Sequence, residues 1–193
     1  MNQAERFMAV FEGFSTAHGQ TQISDERRAG KQKAEPRIIR KPLTLELIVA
    51  HLEGKHGVGS IPINENSQCK FGALDIDQYP LDLVALDKKL RDNDIPCVVC
   101  RSKSGGAHIF FFFTEFFSAG VFRDKATEIA AYLGYGGCEI FPKQTQLTKD
   151  PETGILKPGQ FINLPYFEGT KRKALNIDGT FFTLEQFIKV AEA

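Results

Sequence analysis

The stretch FGALDIDQYP, residues 71–80, decides how the rest of the sequence is interpreted. Its apolar residues predict a β-strand, yet Asp75 and Asp77 interrupt them one residue apart. Alternate residues of a strand point to the same face, so the two carboxylates share one side of the predicted sheet. Because an isolated buried carboxylate is costly, that face must either be open to water or carry something positive.

The composition is that of a folded protein with balanced charge. The 193 residues are 42% hydrophobic, with 17 Phe and no Trp, so phenylalanine must supply much of the core. This length suits one domain or two small lobes that share a core. Lys+Arg and Asp+Glu number 24 each, which neither suggests nor excludes a polyanionic partner. Locally the charge is uneven, since residues 26–41 and the KRK at 171–173 are basic and residues 75–94 are rich in acid.

Targeting and metal-binding signals are few. The sequence shows no signal peptide and no apolar run long enough for a membrane span, so we expect a cytoplasmic protein with reduced cysteines. Cys97 and Cys100 form a C-x2-C pair, whereas Cys69 and Cys138 are single and distant. A zinc site of that spacing needs a second pair of ligands, so no structural zinc is expected.

The apolar periodicity and the chain breakers predict a β-α-β-β-α-β series that follows an α/β segment. In the first segment, helices are predicted over residues 3–12 and 43–54 and a short strand over 58–63. The polar, basic residues 15–42 are predicted to form a loop or an irregular arm. The series itself comprises strands at 70–77, 96–101, 107–114 and 138–142 and helices at 81–93 and 118–133, followed by a strand at 160–165 and a helix from 184.

This series is that of the RRM-like (ferredoxin-like) fold, whose four strands lie in the order 4-1-3-2 with both helices on one face. The expected fold class is α/β (α+β), with an amino-terminal α/β lobe and its basic arm at residues 1–65 and an RRM-like lobe at 66–193. The run IFFFF at 109–113 predicts that both faces of the sheet are covered. Helices cover one face and the amino-terminal lobe is expected to cover the other, with the functional site in the cleft between the lobes.

The predicted topology brings four polar residues to one end of this sheet. Antiparallel pairing places Asp75 and Asp77, at the end of the first strand, beside His108 and Glu139, at the starts of the third and fourth. Three carboxylates this close repel one another, so at least one would take up a proton unless a cation joined them. Mg²⁺ prefers oxygen ligands and is often shared with phosphates, and two ions about 4 Å apart suit in-line phosphoryl transfer.

The loop SKSGG at 102–106, just before His108, is suited to phosphate binding. Backbone N–H groups exposed by glycines can cradle phosphate oxygens, and nearby cationic or hydroxyl side chains add charge and donors. A triphosphate is therefore predicted between this loop and the carboxylates. Its candidate contacts are Lys103, Ser104, Gly105, Gly106 and His108.

Taken together, the motifs ALDID, SKSGGAHI and CEIFPKQ resemble the three-motif pattern of archaeo-eukaryotic primases. The third motif resembles that of the primase-polymerase branch found in TOTE conflict systems and CRISPR-associated primase-polymerases. PLTLELIVAHLEGKHGVGSIPI at 42–63 and GQFINLPYF at 159–167 are similar to further segments of that branch. The resemblance covers about residues 7–188.

The resemblance implies a DNA primase-polymerase that adds nucleotides from dNTPs or NTPs to a primer strand on a DNA template. It implies two Mg²⁺ or Mn²⁺ ions, at least one of which arrives with the nucleotide. Gly106 stands where many relatives have serine, so Ser104 or a backbone N–H would supply that contact. By position, the implied catalytic metal ligands are Asp75, Asp77 and Glu139, and further contacts are Lys143, Gln144 and Asn163.

The resemblance also implies partners and an origin. The basic arm and the KRK at 171–173 would track the backbone of the template. The protein would be prokaryotic, phage-encoded or plasmid-encoded, and its full-length form could include a helicase or another replication or defence domain.

Two other function classes stay open. One is a non-catalytic RRM-like module that binds nucleic acid; such sheets stack bases on exposed aromatic residues, whereas this one has carboxylates at its centre. The other is a different metal-dependent phosphoryl-transfer enzyme on a palm-like sheet, such as a nuclease or a nucleotidyl cyclase.

Overall fold

Two antiparallel four-stranded sheets and five helices make up the described part of the chain. The computed structural model describes residues 1–28 and 31–193, and it describes side chains outside residues 22–34. The elements are α1 (Gln3–Val10), β1 (His18–Arg28), β2 (Lys31–Ile39), α2 (Leu45–Leu52), β3 (Val58–Ser60), β4 (Gln68–Ile76), α3 (Leu83–Arg91), β5 (Val98–Arg101), β6 (Ala107–Ser118), α4 (Ala119–Leu133), β7 (Glu139–Phe141), β8 (Ile162–Asn163) and α5 (Leu184–Glu192).

The second sheet has the strand order β5-β6-β4-β7, and every neighbouring pair in it is antiparallel. These are the neighbours that the sequence predicts for the strands of the series. One face packs against α3 and α4, whose Leu86, Leu90 and Phe122 join Leu74 of β4 in one apolar cluster. The central strand β4 is therefore held on both edges and on this face, which fixes the position of Asp75.

Two helices cover the opposite face of the second sheet. The ring of Phe11, at the end of α1, makes edge contacts with Phe71, Phe110 and Phe112, with ring centroids 5.2–5.4 Å apart. Phe187 of α5 stacks on Phe11 at 6.1 Å. The amino-terminal segment thus supplies part of the predicted cover, and the carboxy-terminal helix supplies another part that the sequence did not indicate.

Threonine side chains cap the starts of α2 and α5. Thr44 accepts a hydrogen bond from the backbone N–H of Leu47 at the start of α2. Thr183 and Gln186 form a capping box at the start of α5, each side chain bonded to the other residue's backbone N–H. On α3, the apolar Val84 is 49% exposed, while Asp87 is buried.

The first sheet corrects the interpretation of residues 15–42, which were predicted as a loop or irregular arm. Most of them form the antiparallel strands β1 and β2, paired from His18 with Ile39 to Arg28 with Lys31. β2 is the edge strand of the order β2-β1-β3-β8, and edge strands tolerate charge and proline. The prediction was wrong because it took charge and Pro36 as signs of a loop. Residues 29 and 30 lie outside the described residues.

The two sheets share a core, and the chain passes from the first sheet to the second and back to the first. Val58 and Ile162 of the first sheet belong to the same buried cluster as Phe71 and Phe110 of the second. β8 lies in the first sheet, antiparallel to β3, although it follows the strands of the second sheet in the chain. The division into lobes at residue 65 stays a prediction. No helix in the described residues is long and apolar enough to cross a membrane.

Candidate functional site

Asp75 lies at the centre of the site, between two of its predicted partners. In the register of the second sheet, Asp75 of β4 is opposite His108 of β6 on one side and Glu139 of β7 on the other. Directly opposed residues of neighbouring strands project to the same face, so the three side chains share one surface. His108 Nε2 is 3.4 Å from Asp75 Oδ1.

Asp77 lies one residue beyond the end of β4 and is exposed. Its carboxylate accepts a hydrogen bond from the hydroxyl of Tyr79. That hydroxyl is also 2.7 Å from Ser104 Oγ, so Tyr79 joins Asp77 to the 102–106 loop. The hydrogen bond to Asp77 is the main reason why the pKa of Tyr79 is raised. Sequence reasoning missed Tyr79, since only the turn after β4 brings it back to the loop.

Glu139 pairs with a lysine that the resemblance had implied as a nucleotide contact. Lys143 Nζ is 2.7 Å from Glu139 Oε1, and the Glu139 side chain is 57% exposed. Gln144 serves elsewhere, since its side-chain oxygen accepts a hydrogen bond from the backbone N–H of Gln160 at 3.3 Å. Gln144 also lines neither of the two pockets described next. Of these two implied contacts, the fold therefore places only Lys143 beside the carboxylates.

The acidic pocket, a cavity of about 320 Å³, is lined by Asp75, Asp77 and Glu139 together with residues 76, 78 and 134–138. Within the described residues, no group of three or more His, Cys, Asp or Glu side chains is arranged so that it could hold a metal ion. Instead, Asp75 lies beside His108, Asp77 accepts a hydrogen bond from Tyr79, and Glu139 pairs with Lys143. The donor set still fits a hard divalent cation, because three carboxylates line one pocket and carboxylate oxygen is the preferred ligand.

The basic pocket, a second cavity of about 360 Å³, lies between the two sheets on the β5 side. The first sheet supplies Thr21 and Asn163, and Thr21 Oγ1 donates a hydrogen bond to Asn163 Oδ1 at 3.0 Å. The rest of the lining includes four basic side chains and no carboxylate. The full lining is Thr21, Gly57, Arg101, Ser102, Lys103, Asn163, Phe167, Lys171 and Arg172.

Arg172 gives this pocket a cation that is partly withdrawn from water. Its guanidinium lies 5.3 Å from the centroid of the Phe167 ring. Burial lowers the pKa of Arg172 to about 10. Among the described residues no carboxylate pairs with Arg172, Arg101 or Lys103, whereas Lys171 pairs with Glu168 at 2.6 Å. A desolvated cation without a carboxylate partner favours an anionic ligand, and the planar guanidinium suits phosphate.

Comparison with known protein families now adds to this geometry. Residues 7–189 match the TOTE conflict system, Archaeo-Eukaryotic Primase domain. The chain belongs to this family. No curated protein matches it. Membership in a primase family indicates a nucleotidyltransferase that acts on nucleotides and nucleic acid. This agrees with an acidic and a basic pocket whose linings meet the same end of the second sheet, where Ile76, Ala107 and Arg101 are paired across β4, β6 and β5.

Gly106, where the resemblance led us to compare the chain with relatives that have serine, has no room for any side chain. A Cβ at Gly106 would lie 2.2 Å from the carbonyl oxygen of Ile76, at the end of β4. The backbone of the 102–106 loop is therefore packed directly against β4. Gly105 has a φ of 95°, in the left-handed region that favours glycine, and a Cβ at Gly105 would have no atom within 4 Å.

Of the cysteines of this primase domain, Cys138 alone lines the acidic pocket. All four are free, with Cys69 and Cys100 buried and Cys97 and Cys138 partly so. Burial raises the pKa of Cys69 and Cys97 to about 12, which keeps both thiols protonated at neutral pH. The expectation that there is no structural zinc stays a prediction.

Sequence reasoning missed several residues of the basic pocket. Lys103 and Asn163 were predicted as nucleotide contacts, and both line it. Arg101 was not assigned to the nucleotide although it directly precedes the 102–106 loop. Lys171 and Arg172 were not assigned to it because only the folded chain brings their segment to that loop. The one available signal was the KRK at 171–173, which was interpreted as a template contact.

Proposed function

We propose that this primase domain is a DNA primase-polymerase that transfers nucleotides from dNTPs or NTPs to a strand paired with a DNA template. The observation that carries the proposal is the register that places Asp75 between His108 and Glu139. The basic pocket, whose Arg101 is paired with Ala107 next to His108, supports it, since a nucleoside triphosphate needs carboxylate-bound metal at one end and cations along its phosphates.

Asp75, Asp77 and Glu139 would hold two Mg²⁺ or Mn²⁺ ions, of which at least one arrives with the nucleotide. Bound there, such ions activate the attacking hydroxyl and stabilise the leaving group in an in-line displacement. To bind the ions, Asp77 would give up its hydrogen bond with Tyr79, and Glu139 its ion pair with Lys143. Lys143 is then free to contact the nucleotide or the strand.

The nucleotide's phosphates would lie along the 102–106 loop and reach into the basic pocket. Lys103, Ser104, the N–H groups of Gly105 and Gly106, and His108 are the proposed loop contacts. The N–H of Gly105 donates to the Ser102 carbonyl oxygen at 3.2 Å and would have to exchange that bond for the phosphate. Asn163 lines the same pocket and would contact the nucleotide from the first sheet. Lys171 and Arg172 also line it, so we propose that they hold phosphates of the nucleotide instead of template backbone.

The proposal includes an architecture and partners. The second sheet with α3 and α4 would be an RRM-like catalytic lobe, and residues 1–65 a covering lobe whose basic hairpin of β1 and β2 tracks the template. A primer strand, a DNA template and a helicase or another replication or defence domain are the proposed partners.

A non-catalytic RRM-like binder is less well supported than an enzyme. Such modules stack bases on aromatic residues at an open sheet face. Here Phe71 and Phe110 on that face are fully buried beneath α1 and α5, and so have no surface to offer a base.

Product analysis separates the proposed activity from the other phosphoryl-transfer reactions. Purified protein is incubated with Mn²⁺, labelled dNTP or NTP and a single-stranded template, with and without a primer. We expect labelled strands longer than the primer, whose length depends on the template. A cyclic nucleotide or a shortened strand as the main product would contradict the proposal, and the unprimed reaction shows whether the protein initiates.

A further inference from the structure

Ser102, the first residue of the 102–106 loop, has a buried hydroxyl with no partner among the described residues. The residue is 8% exposed, and its backbone N–H donates to the carbonyl of Gly106 at 2.9 Å. In the part of the chain that the structure describes, no group hydrogen-bonds to its side-chain oxygen. Buried hydroxyls are nearly always bonded, because an unbonded one has lost its water without compensation.

Ser60 shows what a structural serine looks like in this fold. It is 4% exposed, close to the value for Ser102, but its hydroxyl donates to the carbonyl oxygen of Phe11 at 2.7 Å. That bond ties β3 to the end of α1. The hydroxyl of Ser102 makes no such hydrogen bond within the described residues. A contribution to folding therefore does not explain why a serine is buried at this position.

The surroundings of the Ser102 hydroxyl indicate an anionic ligand. Ser102 lines the basic pocket beside Arg101, Lys103 and Arg172, and no carboxylate lines that pocket. The hydroxyl also lies 3.2 Å from the position that a Cβ of Gly106 would take, so the absence of a side chain at 106 leaves the hydroxyl unobstructed on that side. A hydroxyl among cations can donate to a phosphate oxygen, which the cations themselves attract.

Ser104, the other serine of the loop, is placed differently. It is exposed, and its oxygen lies 2.7 Å from the hydroxyl of Tyr79, on the side of Asp77. It does not line the basic pocket.

We propose that Ser102 supplies the hydroxyl that donates to the phosphate chain of the bound nucleotide, in an assignment that rests on the proposed function. Ser102 then makes the contact for which the sequence offered Ser104 or a backbone N–H, and the basic pocket binds the phosphates through one neutral donor and its cations.

The test measures phosphate affinity and thermal stability together. Binding of inorganic tripolyphosphate and of a dNTP, each with Mg²⁺, is measured by calorimetry for the wild type, Ser102→Ala, Ser104→Ala and Ser60→Ala. We expect Ser102→Ala to bind both probes about ten-fold more weakly, the size of one lost hydrogen bond to a charged group. Its melting temperature should be unchanged or higher, because an unbonded buried hydroxyl has been removed.

Ser60→Ala is the matched control, since it removes a bonded hydroxyl that is equally buried. It should lower the melting temperature and leave the affinity for tripolyphosphate unchanged. The proposal is overturned if Ser102→Ala binds as well as the wild type, or if Ser104→Ala causes the larger loss. If the wild type itself binds neither probe, the proposed function fails together with the Ser102 assignment. If the wild type binds both probes and Ser102→Ala binds them equally well, only the Ser102 assignment fails.

Discussion

At the scale of single residues, Gly106 shows how closely the 102–106 loop is packed against β4. An alanine Cβ there would lie 2.2 Å from the Ile76 carbonyl oxygen, which is backbone and cannot move aside cheaply. We expect Gly106→Ala to lower the free energy of unfolding by about 1–3 kcal/mol, the usual cost of overpacking. Urea denaturation of the variant and the wild type measures the difference.

Gly137 is the control for that substitution, since a Cβ at this position would have no atom within 4 Å. Gly137→Ala should change the free energy of unfolding by no more than about 0.5 kcal/mol. Equal stability of Gly106→Ala and the wild type would mean that the loop is not packed on β4 as described.

His51 makes the stability of the protein depend on pH. It is fully buried, its Nε2 is 2.8 Å from the Pro165 carbonyl oxygen, and its Nδ1 accepts from the Val58 N–H. Burial is the main cause that lowers the pKa of His51 to about 4. In the unfolded chain that pKa is about 6.5, so the unfolded state binds a proton over this interval and the folded state does not.

The stability that His51 contributes is therefore complete above about pH 6.5 and is lost as the pH falls towards 4. We expect a loss of roughly 2–3 kcal/mol between pH 7 and pH 4.5 that is missing from His51→Gln. Urea unfolding of both proteins at several pH values measures it. The same pH dependence in the variant and the wild type would show that His51 is not held neutral by the fold.

At the scale of elements, Phe11 packs α1 onto one face of the second sheet. This ring contacts Phe71, Phe110 and Phe112 on the sheet and Phe187 on α5. We expect Phe11→Ala to lower the free energy of unfolding by about 3–5 kcal/mol, because the cavity cannot be filled by any one neighbour. Guanidinium denaturation provides the measurement.

Val49 on α2 offers a comparison, since its side chain is 37% exposed. Val49→Ala should cost less than about 1 kcal/mol. If Phe11→Ala also lowered the free energy of unfolding by less than about 1 kcal/mol, the result would contradict the packing of α1 on the second sheet.

The sequence predicted some elements well because their signals are local. β4, α3, β5, β6, α4 and β7 were found from apolar periodicity and glycine breakers, and their neighbour order followed from the β-α-β-β-α-β series. The hairpin of β1 and β2 was missed, since an edge strand with charge and Pro36 has no alternating apolar pattern. Pairing with β3, which identifies the sheet, is a long-range contact.

At the scale of the whole molecule, the candidate site depends on both sheets. Asp75, His108 and Glu139 could be brought together from the sequence, because antiparallel register within one sheet fixes their positions. The basic pocket could not be, since Thr21 and Asn163 come from the first sheet and Arg172 from the chain beyond β8. The acidic half of the site is thus a property of one sheet, and the basic half is a property of how two sheets meet.

The measurement that tests the account most directly is primer extension by the wild type and by Asp75→Asn, on a primed DNA template with Mn²⁺ and dNTPs. Asp75→Asn keeps the size of the side chain but removes the charge that lies between His108 and Glu139. The account predicts extension by the wild type and at least about 100-fold less by the variant, at an unchanged melting temperature. Equal extension by the two proteins would contradict the account, because the carboxylate at the centre of the site would then have no part in the reaction.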